Sequence, residues 1–173
     1  LACAIAGNVA MNSGGAHCLK YGVTTNNLLG VKMVMMDGTI TEIGGAYLDA
    51  TGLDLLGLIC GSEGQLGVVT EATLRILRKP EGARPVLMAF NDNEVAGACV
   101  ADIIKAGVLP VAIEFMDRLC IETTENYAKA GYPDCNALLI VEVEGAPEEI
   151  DEQLAVILDI ARKHDPVELR EAK

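Results

Sequence analysis

The sequence has no tryptophan and only two phenylalanines and four tyrosines, so aromatic residues make up 3% of its 173 positions. A core must therefore rest on Leu, Ile, Val, Met and Ala. Positive charge is also scarce, with 13 Lys and Arg against 25 Asp and Glu and a net charge of −12. That balance excludes the basic face that nucleic acid or an anionic membrane surface demands. No apolar run approaches the roughly 20 residues of a membrane helix, and no signal peptide opens the chain. Histidine occurs twice, at His17 and His164. The six cysteines, Cys3, Cys18, Cys60, Cys99, Cys120 and Cys135, form no CxxC pair and no zinc-like spacing with histidine. Most lie in apolar runs, where Cys behaves as a small hydrophobe. They read as reduced thiols in a cytoplasmic setting, and no metal is expected. No nucleophile triad and no pair of acids stands out, so no catalytic residue is assigned.

What the chain has in quantity is glycine, and it is unevenly placed. Thirteen of 18 glycines fall in residues 1–80, which hold five Lys/Arg against six Asp/Glu. Residues 81–173 hold eight against nineteen. The shift falls at "RKPEGARP", where two prolines and a glycine mark a boundary between domains 1–82 and 83–173.

The first part reads as strands and loops, beginning at Leu1 in an apolar strand, an unusual start that suggests a fragment. "GVKMVMMDGTITEI" is a hairpin around Asp37-Gly38, a pair that tolerates positive φ. "LGVVTEATLRIL" alternates, with Ala72, Leu74 and Ile76 on one face. The second part mixes strands and helices. Strands are expected at Pro85–Phe90, Val111–Met116 and Ala137–Gly145, with a last one in "PVELREA". Asn91 caps the first helix, which stops at Gly107, and Asp117 caps a second that runs to about Lys129. Pro147 opens a third, with acids in its first turn and Arg162 and Lys163 in its last, as the macrodipole favours. Ile150, Leu154, Ile157, Leu158 and Ala161 give it one apolar face. Without the middle helix the order is β-α-β-β-α-β, the split ferredoxin-like arrangement.

Two glycine clusters carry the candidate chemistry. In "AGNVAMNSGGAHCLKYG", successive backbone N–H groups can form a concavity for a diphosphate, although a tight loop that reverses the chain has the same composition. In "GSEGQLGVVT", Gly61, Gly64 and Gly67 recur every third residue around the single carboxylate of Glu63. No Lys-Ser/Thr follows, so it is not a Walker loop. No helix follows either, which excludes a dinucleotide fingerprint. His164 reads as a helix-end cation or a solvent-exposed residue, and Glu114 and Asp117 as structural residues at a strand end.

Together, "GNVAMNSGGAHCLKYGVTTNNLLGVKMVMMDG", "TGLDLLGLICGSEGQLGVVTEATLRILRKP" and the later "AIEFMDR" strongly resemble the FAD-linked oxidases of the vanillyl-alcohol oxidase superfamily. The likeness spans essentially the whole chain and is greatest to the branch that oxidises 2-hydroxy acids such as glycolate and D-lactate. It implies an α+β fold: the second subdomain of a PCMH-type FAD-binding domain, then a ferredoxin-like part of the substrate domain. It implies FAD as cofactor, touched by Gly7, Asn8, Ala10, Met11, Asn12, Ser13, Gly14 and Gly15 and lined by Glu63, Gly64, Gln65, Leu66, Gly67, Val68 and Val69. Gln65 stands where the family usually has Thr, and Leu53 where it more often has Tyr. The family's first FAD subdomain is expected before Leu1, and its histidine- and carboxylate-rich site after Lys173. The implied partners are a small 2-hydroxy acid and an electron-accepting protein or subunit, with homo-oligomers among the expected assemblies.

Overall fold

The computed structural model describes residues 3–47 and 52–171. The chain divides into two compact units, Leu1–Arg78 and Lys79–Lys173, each taken by itself below.

The first unit is a three-stranded antiparallel sheet with helices packed on it. Helix α1 (Ile5–Met11), the single turn α2 (Cys18–Tyr21) and a 3-10 turn (Thr24–Asn27) lead into β1 (Leu28–Val34) and β2 (Ile40–Gly44). Helix α3 (Leu55–Ile59) and β3 (Val68–Leu74) complete it, in the order β2-β1-β3. The described residues at the start of the chain are therefore helical rather than an apolar strand. Only one side chain of α1, Val9, is buried, so the segment lacks the apolar periodicity by which a helix is read. The hairpin between β1 and β2 forms as expected, but only Gly38, with φ of 83°, takes the left-handed region. Met35 O accepts from Gly38 N, and the Asp37 carboxylate accepts from Thr39 N. That N–H holds the Asp37 carboxyl below the usual range.

Strand β3 has an irregularity opposite Lys32 and Met33. Its inward residues are Val69, Ala72 and Leu74, and Thr70 Oγ1 donates to Lys32 O. An inserted residue of this kind bends the strand and breaks its alternation. The strand also ends at Leu74, so Ile76, expected on the inner face, is 91% exposed. The buried core is small: Val9, Leu28, Val31, Met33, Ile59 and Cys60. On the outer sheet face Lys32 lies opposite Glu42 and Glu71, 3.6 and 3.4 Å away, and both carboxylates raise its pKa.

The second unit runs β4 (Gly82–Phe90), α4 (Asn93–Lys105), β5 (Ala112–Asp117), α5 (Arg118–Ala128), β6 (Ala137–Gly145), α6 (Pro147–Lys163) and β7 (Glu168–Glu171). The sheet order is β5-β6-β4-β7 with every pairing antiparallel. Each βα crossover therefore skips a central strand, which is the ferredoxin-like split arrangement with α5 added. Alternate residues of β4 and β6, including Val86, Met88, Leu139, Val141 and Val143, face α4 and α6 in the main core. The opposite face puts Ala89 and Leu138 against Ile121 and Cys135.

The caps account for where the helices start. Asp92, not Asn91, caps α4, accepting from Glu94 N and Val95 N. The Asn91 carbonyl is instead held by Asn136 Nδ2. Asp117 caps α5 through Cys120 N, and Lys129 ends that helix in the left-handed region. His164 is not solvent-exposed: it caps the end of α6 with its ring nitrogen 3.0 Å from Asp102 on α4. All six cysteines are free; Cys60, Cys99 and Cys135 are buried, and burial pushes Cys99 up to about 11. Among the described residues, no helix is long and apolar enough to cross a membrane.

Candidate functional site

The first glycine cluster is half helix. Gly7, Asn8, Ala10 and Met11 lie on α1, and Asn12 ends it in the left-handed region at φ 46°. Asn tolerates that region better than other residues with a Cβ. Ser13, Gly14 and Gly15 then form a turn into α2. The second cluster follows α3 as a tight turn in which Glu63 and Gly64 have φ of 54° and 77°, before Val68 and Val69 open β3.

The fold brings these two stretches, about fifty residues apart in sequence, into direct contact. Gly61 N donates to Val9 O at 2.9 Å, and Glu63 N donates to Ala10 O at 2.8 Å. The carbonyls left over at the C-terminal end of a helix need such partners, and here the second turn supplies them. Asn12 Oδ1 adds a side-chain link, accepting from Thr25 N at 3.0 Å and from the Cys60 thiol at 3.6 Å. Gly61 has φ of 89°, and a Cβ there would also crowd the Asn12 Cβ at 3.3 Å, so its backbone conformation and the approach of the two loops both favour glycine.

The backbone N–H groups are largely spent within the protein. Ser13 N bonds Asn8 O and Gly15 N bonds Cys18 Sγ, while Ser62, Gln65 and Gly67 donate to Ile59, Ser62 and Gly64. The sequence left a concavity of N–H groups and a chain-reversing loop both open for the first cluster, and these turns spend several of their N–H groups internally. They offer bare Cα surface. A Cβ added at Gly7, Gly15 or Gly64 meets nothing within 4 Å. Gly64 is explained by its positive φ, but neither conformation nor packing in this unit asks for glycine at 7 or 15. Gly45 and Gly97 are open in the same way but belong to neither cluster. Exposed apolar side chains occur on both stretches, Ile5 and Met11 on the first and Leu66 and Val68 on the second. The residues present thus fit an extended cofactor with an apolar ring system, since such sites are mostly apolar with a few fixed polar groups.

Gly67 has a different role. Its φ is 149°, and a Cβ there would lie 2.6 Å from both the Met33 Cε and the Val34 carbonyl oxygen. It lets the turn close onto β1. Residues 48–51, and with them Thr51 of the second motif, lie outside the described residues. Leu53 is exposed. Among the described residues, no group of three or more His, Cys, Asp or Glu side chains is placed to hold a metal ion.

Sequence reasoning overlooked the turn Thr24–Asn27, which packs against the first cluster. Thr24 donates to Ser13 O through both its N–H and its hydroxyl. Asn26 Oδ1 accepts from Val23 N, and Asn27 bonds Tyr21 O, Val23 O and the Arg75 guanidinium. Four polar residues in a row after a glycine loop were the available signal.

Comparison with known proteins gives these surfaces a context. Residues 79–172 match the model for the FAD-linked oxidases, C-terminal domain, and residues 2–44 match an FAD binding domain. The chain is 44% identical to the glycolate oxidase subunit GlcD of Escherichia coli (strain K12), over 100% of this chain and 35% of that protein. Identity to GlcD of Bacillus subtilis (strain 168) is 38%, covering 98% and 36%. To the D-lactate dehydrogenase of Archaeoglobus fulgidus it is 36%, covering 70% and 27%. A solved structure of an alkyldihydroxyacetonephosphate synthase superposes with a TM-score of 0.81 at 22% identity, over 98% of this chain and 34% of that one, a likeness of fold. The chain spans about a third of the length of these relatives. It belongs to the FAD-linked oxidases, whose cofactor is FAD.

Proposed function

We propose that this chain forms part of a flavoprotein that oxidises a D-2-hydroxy acid of the glycolate or D-lactate class to the 2-oxo acid. Electrons leave the flavin for a second protein or subunit rather than for NAD. The observation that carries the reading is the junction of the two glycine stretches at Gly61–Val9 and Glu63–Ala10, with open Cα surface at Gly7, Gly15 and Gly64. The 44% identity to a glycolate oxidase subunit supports the substrate class.

When bound, FAD supplies the two-electron acceptor for hydride from the hydroxy acid. The protein supplies binding, orientation and electrostatics. In this reading Gly7, Asn8, Ala10 to Gly15 and Glu63 to Val69 would hold the cofactor, and the missing side chains at the open glycines would leave room for it beside the main chain. Met11, Leu66 and Val68 keep water from that surface. The bonds between α1 and the second turn fix the spacing of its two walls. An alkyl-glycerone-phosphate synthase activity is the alternative, and it rests on likeness of fold alone.

The test is anaerobic mixing of the full polypeptide that carries this sequence with glycolate or D-lactate. Bleaching of the oxidised flavin band by one of them, with the matching 2-oxo acid as product, is expected. A flavin that neither acid reduces overturns the reading.

A further inference from the structure

The turn Thr24–Asn27 does more than connect α2 to β1. Asn27, half-buried, bonds through both ends of its side-chain amide. Nδ2 donates to Tyr21 O at 3.0 Å and to Val23 O at 3.2 Å, and Oδ1 accepts from the Arg75 guanidinium at 3.0 Å. The Asn27 carbonyl also accepts from Arg75 N at 2.9 Å. The first two bonds hold the tail of the first glycine loop. The last two hold the end of β3, the strand that begins in the second glycine turn.

Two carbonyls and one guanidinium demand two donors and one acceptor on a single short side chain. Only a primary amide supplies that set, and Asn supplies it at the right length. The same environment fixes the orientation of the amide, because its nitrogen must face the carbonyls. At the other end of the loop, Thr24 grips Ser13 O through its N–H and its hydroxyl. The arm from Gly14 to Val23 is thus pinned at both ends by one turn.

We propose that Asn27 is a positioning residue for the flavin site, joining the first glycine loop to the strand of the second so that the two walls keep one spacing. The role rests on the reading that these loops hold FAD. Asn27 itself need not touch the cofactor.

Asn27→Asp tests it in the full polypeptide. The variant keeps shape and the bond from Arg75 but loses both N–H donors and sets a carboxylate against two carbonyls. Amide exchange without FAD should accelerate about tenfold or more across residues 14–23 and stay unchanged across 82–171. The dissociation constant for FAD, measured on folded protein, should rise about tenfold. A residue of merely structural value would lower the thermal midpoint without moving that constant. Unchanged exchange in 14–23, or loosened exchange with undiminished affinity, overturns the proposal. A wild-type protein that takes up no FAD overturns the cofactor reading itself and the role of Asn27 with it. Should N27D not fold, Arg75→Gln removes one side-chain link from the exposed side, and FAD affinity equal to wild type then overturns the proposal.

Discussion

Gly7→Ala separates the demands of the fold from those of the cofactor. Gly7 lies inside the seven-residue α1, is exposed, and has no positive φ. A Cβ built there meets nothing within 4 Å, so the substitution introduces no clash in the unit. Glycine within a helix costs about 0.5–1 kcal/mol relative to alanine. The flavin-free protein should therefore be more stable as G7A, by up to about that amount. If the flavin lies against this backbone, the new methyl sits where the ring system approaches. FAD affinity should fall at least about tenfold, or about 1.4 kcal/mol. Gly97→Ala is the matched control, since Gly97 is also helical and open but belongs to neither glycine stretch. It should stabilise by a similar amount and leave FAD binding alone. Denaturant unfolding without flavin gives the first quantity, and fluorescence titration with FAD gives the second. G7A protein that binds FAD as tightly as wild type refutes the placement of the cofactor on α1.

Gly67→Ala should destabilise the first unit by about 1–3 kcal/mol, since it combines a disfavoured φ with a contact against the Val34 carbonyl; a melt indistinguishable from wild type contradicts this. Asp92→Ala should cost about 1 kcal/mol through loss of the α4 cap. The comparison with Asn91→Ala, whose side chain is not the cap, shows which residue holds the helix start. Cys99 is held protonated by burial and, secondarily, by Asp102, from 9.0 up to about 11. A raised thiol pKa contributes stability that is intact below the unfolded value and is lost as pH rises toward the folded one. Wild-type stability should therefore decline between about pH 9 and 11, by at most about 2–3 kcal/mol from this group. Cys99→Ala should flatten that part of the profile; equal slopes for both proteins contradict the assignment.

The second unit was legible because its elements are long and their signals agree. The α6 helix carries a proline start, acids first, bases last and one apolar face, and its ends fall at Pro147 and Lys163. Strand β6 opens with the apolar run Ala137–Val141 and ends at Gly145, both visible in the sequence. The first unit hid more. Helix α1 contains Gly7 and the β-branched Val9 and buries one side chain, so it is helical through its contacts with the second turn rather than through propensity. Ala72 and Leu74 face inward as their alternation predicts, but β3 ends at Leu74 and leaves Ile76 exposed. The glycine motifs were visible singly. Their junction was not, because it is made by main-chain bonds from Gly61 and Glu63 to Val9 and Ala10, which no residue type announces. The role of Thr24–Asn27 was hidden for a related reason, since its partners are mostly carbonyls and main-chain N–H groups.

The central claim is that the two glycine stretches form one flavin-facing surface. Amide hydrogen exchange of the full polypeptide, with and without saturating FAD, tests it most directly. Residues 7–15 and 63–69 should gain protection together, at the same FAD concentration. Protection of one stretch while the other exchanges as in the free protein contradicts the account.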